Sequence, residues 1–388
     1  MAESNWYEIK FLESASNVKQ LVKRAIGKTP STKIAGEISV CLQQGRMFFE
    51  TARSSPVQIR PLQIFYGILG FSKALVLARN ITTLDTLPHT HGIRDVSASN
   101  SQLKKLAVRI DNNGTFQRFN DVVASLNRIH YFGKSNMPAW HLLPFTNSEL
   151  LNGKELSFAE ILARVPYLQH LYEKTFNEPA KTWHIQIMYW DEYDGYTDIR
   201  IDDPNIYTDR DSLKTLVNKW RSKFPFLKQW YFIEATHAWG NAIIHFCNVS
   251  NAGVDEFSVE NLTQEGITFK QVQNLPQNDF SYKRIPFTEI LQPIAGGITG
   301  SHQYAIEPYD GQFISEYSLH YLGMYLLSSL VRYRPQIWGH AISKSVTQNS
   351  PADDQALALI ENFMDVVLSG FPRMVVESIG INLAEVSS

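Results

Sequence analysis

The sequence predicts a mainly helical α+β fold, in which a frame made from the N- and C-terminal parts is interrupted by a β-rich central insertion. Three observations lead there. Apolar residues recur every three to four positions through the first third of the chain and again through its last hundred residues, the period of a helix with one buried face. From about 180 to 290 the pattern changes to alternation, the period of a strand. Charged residues are only 19% of the 388 positions and aromatics reach 12%, against roughly 25% charged in an average soluble protein, so there is much apolar surface to bury. The expected division is 1–180, an N-terminal helical part with one β-hairpin; 181–300, a β-rich or α/β middle module; and 301–388, a C-terminal helical part packing on the N-terminal one.

The elements follow in order. Residues 14–26 place Val18, Leu21, Val22 and Ile26 on one helical face, and 38–52 repeat the pattern with Val40, Leu42, Met47, Phe48 and Phe49. The strongest early helix is 61–79, opened by Pro61 at a first-turn position and apolar on nearly every side. Gly67 and Gly70 lie inside it at a cost of about 1 kcal/mol each against alanine, which implies a second helix passing close by. A loop with His89, His91 and Gly92 comes next. Residues 105–110 and 115–122 flank Asp111-Asn112-Asn113-Gly114, which reads as a hairpin. Ser157 and Glu160 form a capping box for a helix over 158–176, which Pro166 should kink or split.

In the middle, strands are expected over 183–190, 196–201, 229–235 and 241–246, with weaker ones over 257–259 and 266–269. A short helix opens at Asp211 and carries Leu213, Leu216, Val217 and Trp220. The C-terminal part offers a long apolar helix over 315–334 ended by Pro335, a shorter segment over 336–345, and a helix begun by Ser350 and Pro351 and ended by Gly370. The helices 61–79 and 315–334 are apolar around most of their circumference, so they should touch each other or a second subunit.

Composition excludes several functions. With 36 basic against 38 acidic residues and a formal charge of −2, the chain is no general nucleic-acid coat, although a local basic stripe is allowed. Only Cys41 and Cys247 are present, so there is no disulfide framework and no thiolate zinc site, and the pair suits a reducing cytosol. The first residues lack the basic-then-apolar order of a signal peptide. The longest uncharged apolar run, 317–331, has fifteen residues, below the ~20 that cross a bilayer. A buried helix and no membrane span are expected.

Two segments carry a family resemblance. Arg60-Pro61-Leu62-Gln63-Ile64-Phe65-Tyr66-Gly67 with Lys73-Ala74-Leu75 and His91-Gly92-Ile93 resembles the early helix and His-Gly loop of the YaaC-like proteins of bacteria. So does the run 324–338, which includes Arg332, Tyr333, Arg334, Pro335 and Trp338. The resemblance spans nearly the whole chain and implies a cytoplasmic bacterial setting, with no established activity to carry over. A second likeness is to the HEPN group of helical proteins, many of them metal-independent ribonucleases. Arg334 and His340 fit that group's Arg-to-His spacing, with Pro335 where the group has a polar residue. There His340 would act as base on a ribose hydroxyl and Arg334 would stabilise the phosphorane charge.

The same spacing recurs at Arg164 and His170, so by itself it discriminates weakly. Six residues along a continuous helix turn roughly 240°, and Arg334 and His340 converge only if Pro335 restarts the helix and leaves Arg334 outside. Otherwise Arg332 and Arg334 satisfy the last carbonyls of the long helix. His89 and His91 could face a substrate or a metal, with Asp85 and Asp95 as the nearest acids; backbone hydrogen bonding explains them more simply. The acidic cluster Asp191, Glu192, Asp194, Asp198, Asp202 and Asp203 matches no calcium loop and reads as exposed turn residues. Gly296-Gly297-Ile298-Thr299-Gly300 matches neither a P-loop nor a dinucleotide fingerprint.

The function expected from the sequence is a non-catalytic interaction subunit of a bacterial multi-protein system, bound to a protein partner or to a second copy. One alternative is a HEPN-like ribonuclease using Arg334 and His340. The other is a nucleotide or small-ligand binder, with the middle module as receptor and His91, Arg332 and Arg334 as anion contacts. No cofactor, metal or membrane is expected, and the place is the cytoplasm.

Overall fold

The computed structural model describes residues 2–99, 102–132, 138–190, 196–203, 210–224, 227–228, 231–238, 241–248, 303–342 and 351–383. In chain order they form α1 (Ala2–Leu12), α2 (Ala15–Ile26), α3 (Thr32–Ser54), α4 (Arg60–Asn80), β1 (Ile93–Asp95), β2 (Ala107–Ile110), α5 (Thr115–Leu126), β3 (Arg128–Phe132), β4 (Pro138–Leu142), α6 (Ser148–Leu151), β5 (Glu155–Ser157), α7 (Phe158–Ala163) and α8 (Gln169–Phe176). Then come β6 (Thr182–Trp190), β7 (Tyr196–Asp202), α9 (Arg210–Lys223), β8 (Tyr231–Ala238), β9 (Asn241–Asn248), β10 (Gln303–Ile306), α10 (Glu316–Tyr333), α11 (Pro335–Ile342) and α12 (Pro351–Gly380). The fold is α+β and mainly helical, with a β-rich central insertion. Contacts divide it into two units. The first comprises Met1–Leu126, Pro144–Thr182 and Pro308–Glu385, and the second Asn127–Leu143 and Trp183–Glu307.

In the first unit, α3 and α4 pack backbone to backbone. A Cβ added at Gly70 would lie 2.9 Å from both the Cys41 carbonyl and the Gly45 amide, and one added at Gly45 would lie 2.6 Å from the Phe71 ring. At Gly67 the missing side chain leaves room for Phe49, which meets Phe71 edge-on at 5.1 Å. The neighbour that Gly67 and Gly70 imply is therefore α3. On its other side α4 meets α10: the Phe65 ring lies 5.6 Å from Tyr321 and 5.5 Å from Tyr325. The two apolar helices thus touch each other. By length and composition α4 could also cross a membrane, yet 78% of its apolar window is buried inside this unit.

Local signals set several boundaries. Ser31, Ser157 and Ser315 each accept a hydrogen bond from a first-turn amide of α3, α7 and α10 respectively. Pro166 falls between α7 and α8 and splits the helix in two. Buried side chains on α10 shift their titration. Burial alone pushes Glu316 up to about 7 and His320 down to about 3, because both charged forms lose water.

Two expected elements differ in the structure, Val40 and Met47 are exposed where the apolar face of their helix was expected, and Asp203 is buried where an exposed turn acid was expected. Residues 115–126 form α5, where a strand was expected. Phe116, Phe119, Val122, Val123 and Leu126 are all buried, and their spacing is helical rather than alternating. Gly114 sits against the backbone of Gly92, so it serves a close approach, and β2 pairs with β1 and β5 instead of with the residues after the turn. Nor does Gly370 end the last helix, which runs on through Pro372 to Gly380. Phe371, Met374, Val375 and Ile379 are buried, with Phe371 stacked on Phe119 at 5.5 Å. That burial outweighs the local stop signal. The expected strands at 257–259 and 266–269, and the Ser350 cap, lie outside the described residues.

The second unit holds a seven-stranded sheet in the order β4-β3-β6-β7-β9-β8, with β10 also pairing β6. Its register aligns Ile185 with Ile201 and Ile201 with Ile244, and all three are buried. Buried Trp220 of α9 meets Trp183 at 4.8 Å. Its ring N–H donates to buried Asp203 at 2.8 Å, as does Lys219 at 3.0 Å.

The glycine contact predicts a sharp contrast. Gly70→Ala should lower stability to urea by about 1–3 kcal/mol through overpacking against backbone. Gly36→Ala, with nothing within 4 Å, should be neutral or stabilising by up to about 1 kcal/mol. Equal unfolding midpoints for the two variants would contradict the packing described.

Candidate functional site

A pocket of about 300 Å³ opens in the first unit beside α4. Leu69 and Lys73, one turn apart on α4, form one wall; Leu84, Asp85, Leu87 and Pro88 form another; His89, Thr90, His91 and Thr115 complete it. The loop is held by the start of α5. The Thr115 and Phe116 amides, which a helix start leaves without intrahelical partners, donate to the Thr90 and His91 carbonyls, each at 3.0 Å. Gly92 then turns the chain at φ +76°, in the left-handed region that favours glycine. The Gln117 amide nitrogen donates to the Gly92 carbonyl at 2.8 Å and to the Asp111 carbonyl at 2.6 Å. The loop is thus fixed through its backbone carbonyls, and the His89 and His91 rings are left for the pocket.

The charges are unevenly matched. Asp85 is claimed by Lys33, whose ammonium donates at 2.8 Å and holds the carboxyl below its ordinary value. Lys73 makes no hydrogen bond or ion pair with any described residue. His91 is half-buried, edge-on to Phe65 at 5.4 Å and to Tyr325 at 6.0 Å. Burial first, and then the charges of Arg332 and Lys73, push its imidazole below the ordinary value, so it is mainly neutral at pH 7. Its ring nitrogens bond no described residue. The pocket therefore offers one unneutralised ammonium and a proton-accepting ring nitrogen, with exposed His89 alongside.

The other sequence-derived candidates are placed differently. Arg332 does not line the pocket. It donates to the Ser328 carbonyl at 3.2 Å, lies over the Tyr333 ring, and acts on His91 through its charge. Pro335 does start α11 and leave Arg334 between two helices. The Arg334 donors go to the Ala98 carbonyl at 2.9 Å and the Ser97 carbonyl at 2.8 Å, with Asp95 at 3.6 Å. None goes to His340, which is exposed in the last turn of α11. Arg164 is buried and paired with Glu160. Of the acidic cluster, Asp202 bonds His184 at 3.1 Å and Asp203 is paired as above, while Asp191, Glu192 and Asp194 lie outside the described residues. Among the described residues no group of three or more His, Cys, Asp or Glu is placed to hold a metal ion.

Sequence reasoning missed Lys73, although a signal was present. It is the one charged residue between Arg60 and Arg79, and a charge set in a buried helix needs a reason.

The profile of the YaaC-like protein family matches residues 10–379. The chain belongs to this family. Nothing among curated proteins or solved structures matches it. In this YaaC-like chain the two segments that carry the resemblance meet: Phe65 of α4, His91 of the loop and Tyr325 of α10 form one ring cluster against the pocket wall.

The electrostatics predict that His91 titrates below 6.5, the reference value for an unperturbed imidazole, when followed by ring-proton NMR. Lys73→Met and Arg332→Met should each raise that value by removing a repelling charge. A wild-type value at or above 6.5, unmoved by either substitution, would contradict the assignment.

Proposed function

We propose that this YaaC-like chain is a small-ligand-binding protein and that its ligand presents an anionic group to Lys73 in the α4 pocket. One observation supports this above the others: an ammonium without a protein partner among the described residues lines a preformed pocket next to two histidines. Lys73 is half-buried, a charge that loses water is normally paired, and a pocket of this size falls at the lower end of the range for small-molecule sites, roughly 300–1,000 Å³. The receptor then lies in the first unit and not in the middle module. Arg332 tunes His91, and the cytoplasmic setting implied by the resemblance is kept. Ligand binding is preferred to the ribonuclease alternative because the Arg334 donors are already used by Ser97, Ala98 and Asp95. It is preferred to a purely interacting subunit because the pocket gives binding a definite place.

The test is a thermal-shift screen of the full chain against inorganic phosphate, nucleotides and small carboxylates. A ligand at a hundred times its dissociation constant stabilises by about 2.7 kcal/mol, which raises the melting temperature measurably. At least one anion should do so in the wild type and lose the effect in Lys73→Ala. Stabilisation by none, or the same stabilisation in Lys73→Ala, would refute the proposal.

A further inference from the structure

The pocket's shape and charge say more about the ligand, on the reading that it binds an anion at all. We infer that the ligand is a phosphate monoester of a compact organic group, bound as the dianion together with a proton taken up on His91.

The chemistry of the walls divides the ligand. Leu69, Leu84, Leu87 and Pro88 give the pocket apolar surface beside Lys73 and the two histidines. A bare anion would leave those four apolar side chains facing water, so an organic group attached to the anion fits better. The polar side presents donors from separate stretches of chain: a three-donor ammonium on α4, and imidazoles at two loop positions. A planar carboxylate offers two oxygens in one plane, whereas a phosphoryl group spreads three oxygens toward donors arriving from different directions. Thr90 and Thr115 are already engaged, their hydroxyls donating to the Asn113 and Thr90 carbonyls, so the ammonium and the rings are the donors that remain.

Charge balance then requires the proton. Lys73 offsets one of the two negative charges, and the second stays uncompensated in a partly enclosed site. The charged and titratable groups around His91 are Lys73 on α4, Arg332 and Tyr325 on α10, and Asp85 and His89 on its own loop. Asp85 is held by Lys33. Burial first, and then the two cations, disfavour a charged ring, and an arriving dianion beside the ring opposes both by supplying a counter-charge. His91 becomes a donor when the ligand is present, and ligand and proton bind together.

Isothermal calorimetry on the full chain at pH 7 tests this with phenyl phosphate, benzoate and inorganic phosphate, each in two buffers of different ionisation enthalpy. Phenyl phosphate should bind at least about tenfold tighter than either of the others. Its heat should differ between buffers by an amount that corresponds to uptake of roughly half a proton or more. In His91→Asn, and in His91→Gln should that variant fold better, the uptake should fall while phenyl phosphate still binds. Benzoate binding as tightly would overturn the phosphoryl assignment, and inorganic phosphate binding as tightly would overturn the organic ester. Equal heats in the two buffers would overturn the proton linkage. Binding by none of the three would remove the anion-binding function itself.

Discussion

Helices α3 and α4 touch backbone to backbone, and the first unit is arranged around that contact. Gly45, Gly67 and Gly70 remove the side chains that would hold the two helices apart. Phe49 and Phe71 fill the space beside them. A glycine inside a helix costs about 1 kcal/mol, so three of them on facing helices are a real expense. What offsets it is the close packing of a helix that buries fourteen of its twenty-one residues. With α4 fixed against α3, its far side is free to receive α10 through the Phe65, Tyr321 and Tyr325 rings.

The candidate site depends on the same packing. Lys73 belongs to a helix held on several sides, so the base of its side chain is fixed beside the pocket. The opposite wall is held just as firmly, because the Thr90 and His91 carbonyls receive the first amides of α5. A cation and two imidazoles carried on walls of this kind start from a backbone that is already in place. An entering anion then meets them without the ordering cost that a mobile loop would impose. Arg332 contributes from α10 without entering the pocket, its charge adding to burial in pushing the His91 imidazole below its ordinary value.

Much of this fold was legible in the sequence where local chemistry and tertiary burial agree. Pro61 at the start of an all-round apolar run placed α4 within a residue at each end, and the apolar run stopped by Pro335 placed α10 as closely. The legible part stops where the two conflict. Asn113-Gly114 has the composition of a hairpin turn, but the glycine is needed for contact with Gly92, and the next residues follow a helical period. Gly370 and Pro372 have the composition of a helix end, but the buried row from Phe371 to Ile379 carries the helix through. The site was half legible. His91 stood out as a loop histidine beside glycine, whereas Lys73 was hidden inside an apolar helix, and only the folded arrangement brings the two to one pocket.

The central claim is that a glycine-packed helix presents Lys73 to the loop histidines as a ready-made site for a tetrahedral anion. The most direct measurement is a crystal structure of the full chain grown with tungstate, a tetrahedral dianion with a strong anomalous signal. The account predicts an anomalous peak in the pocket, placed so that tungstate oxygens lie within about 3 Å of the Lys73 ammonium and the His91 ring, with the α3–α4 contact unchanged. An empty pocket with tungstate bound elsewhere, or Lys73 turned away to a protein carboxylate, would contradict it.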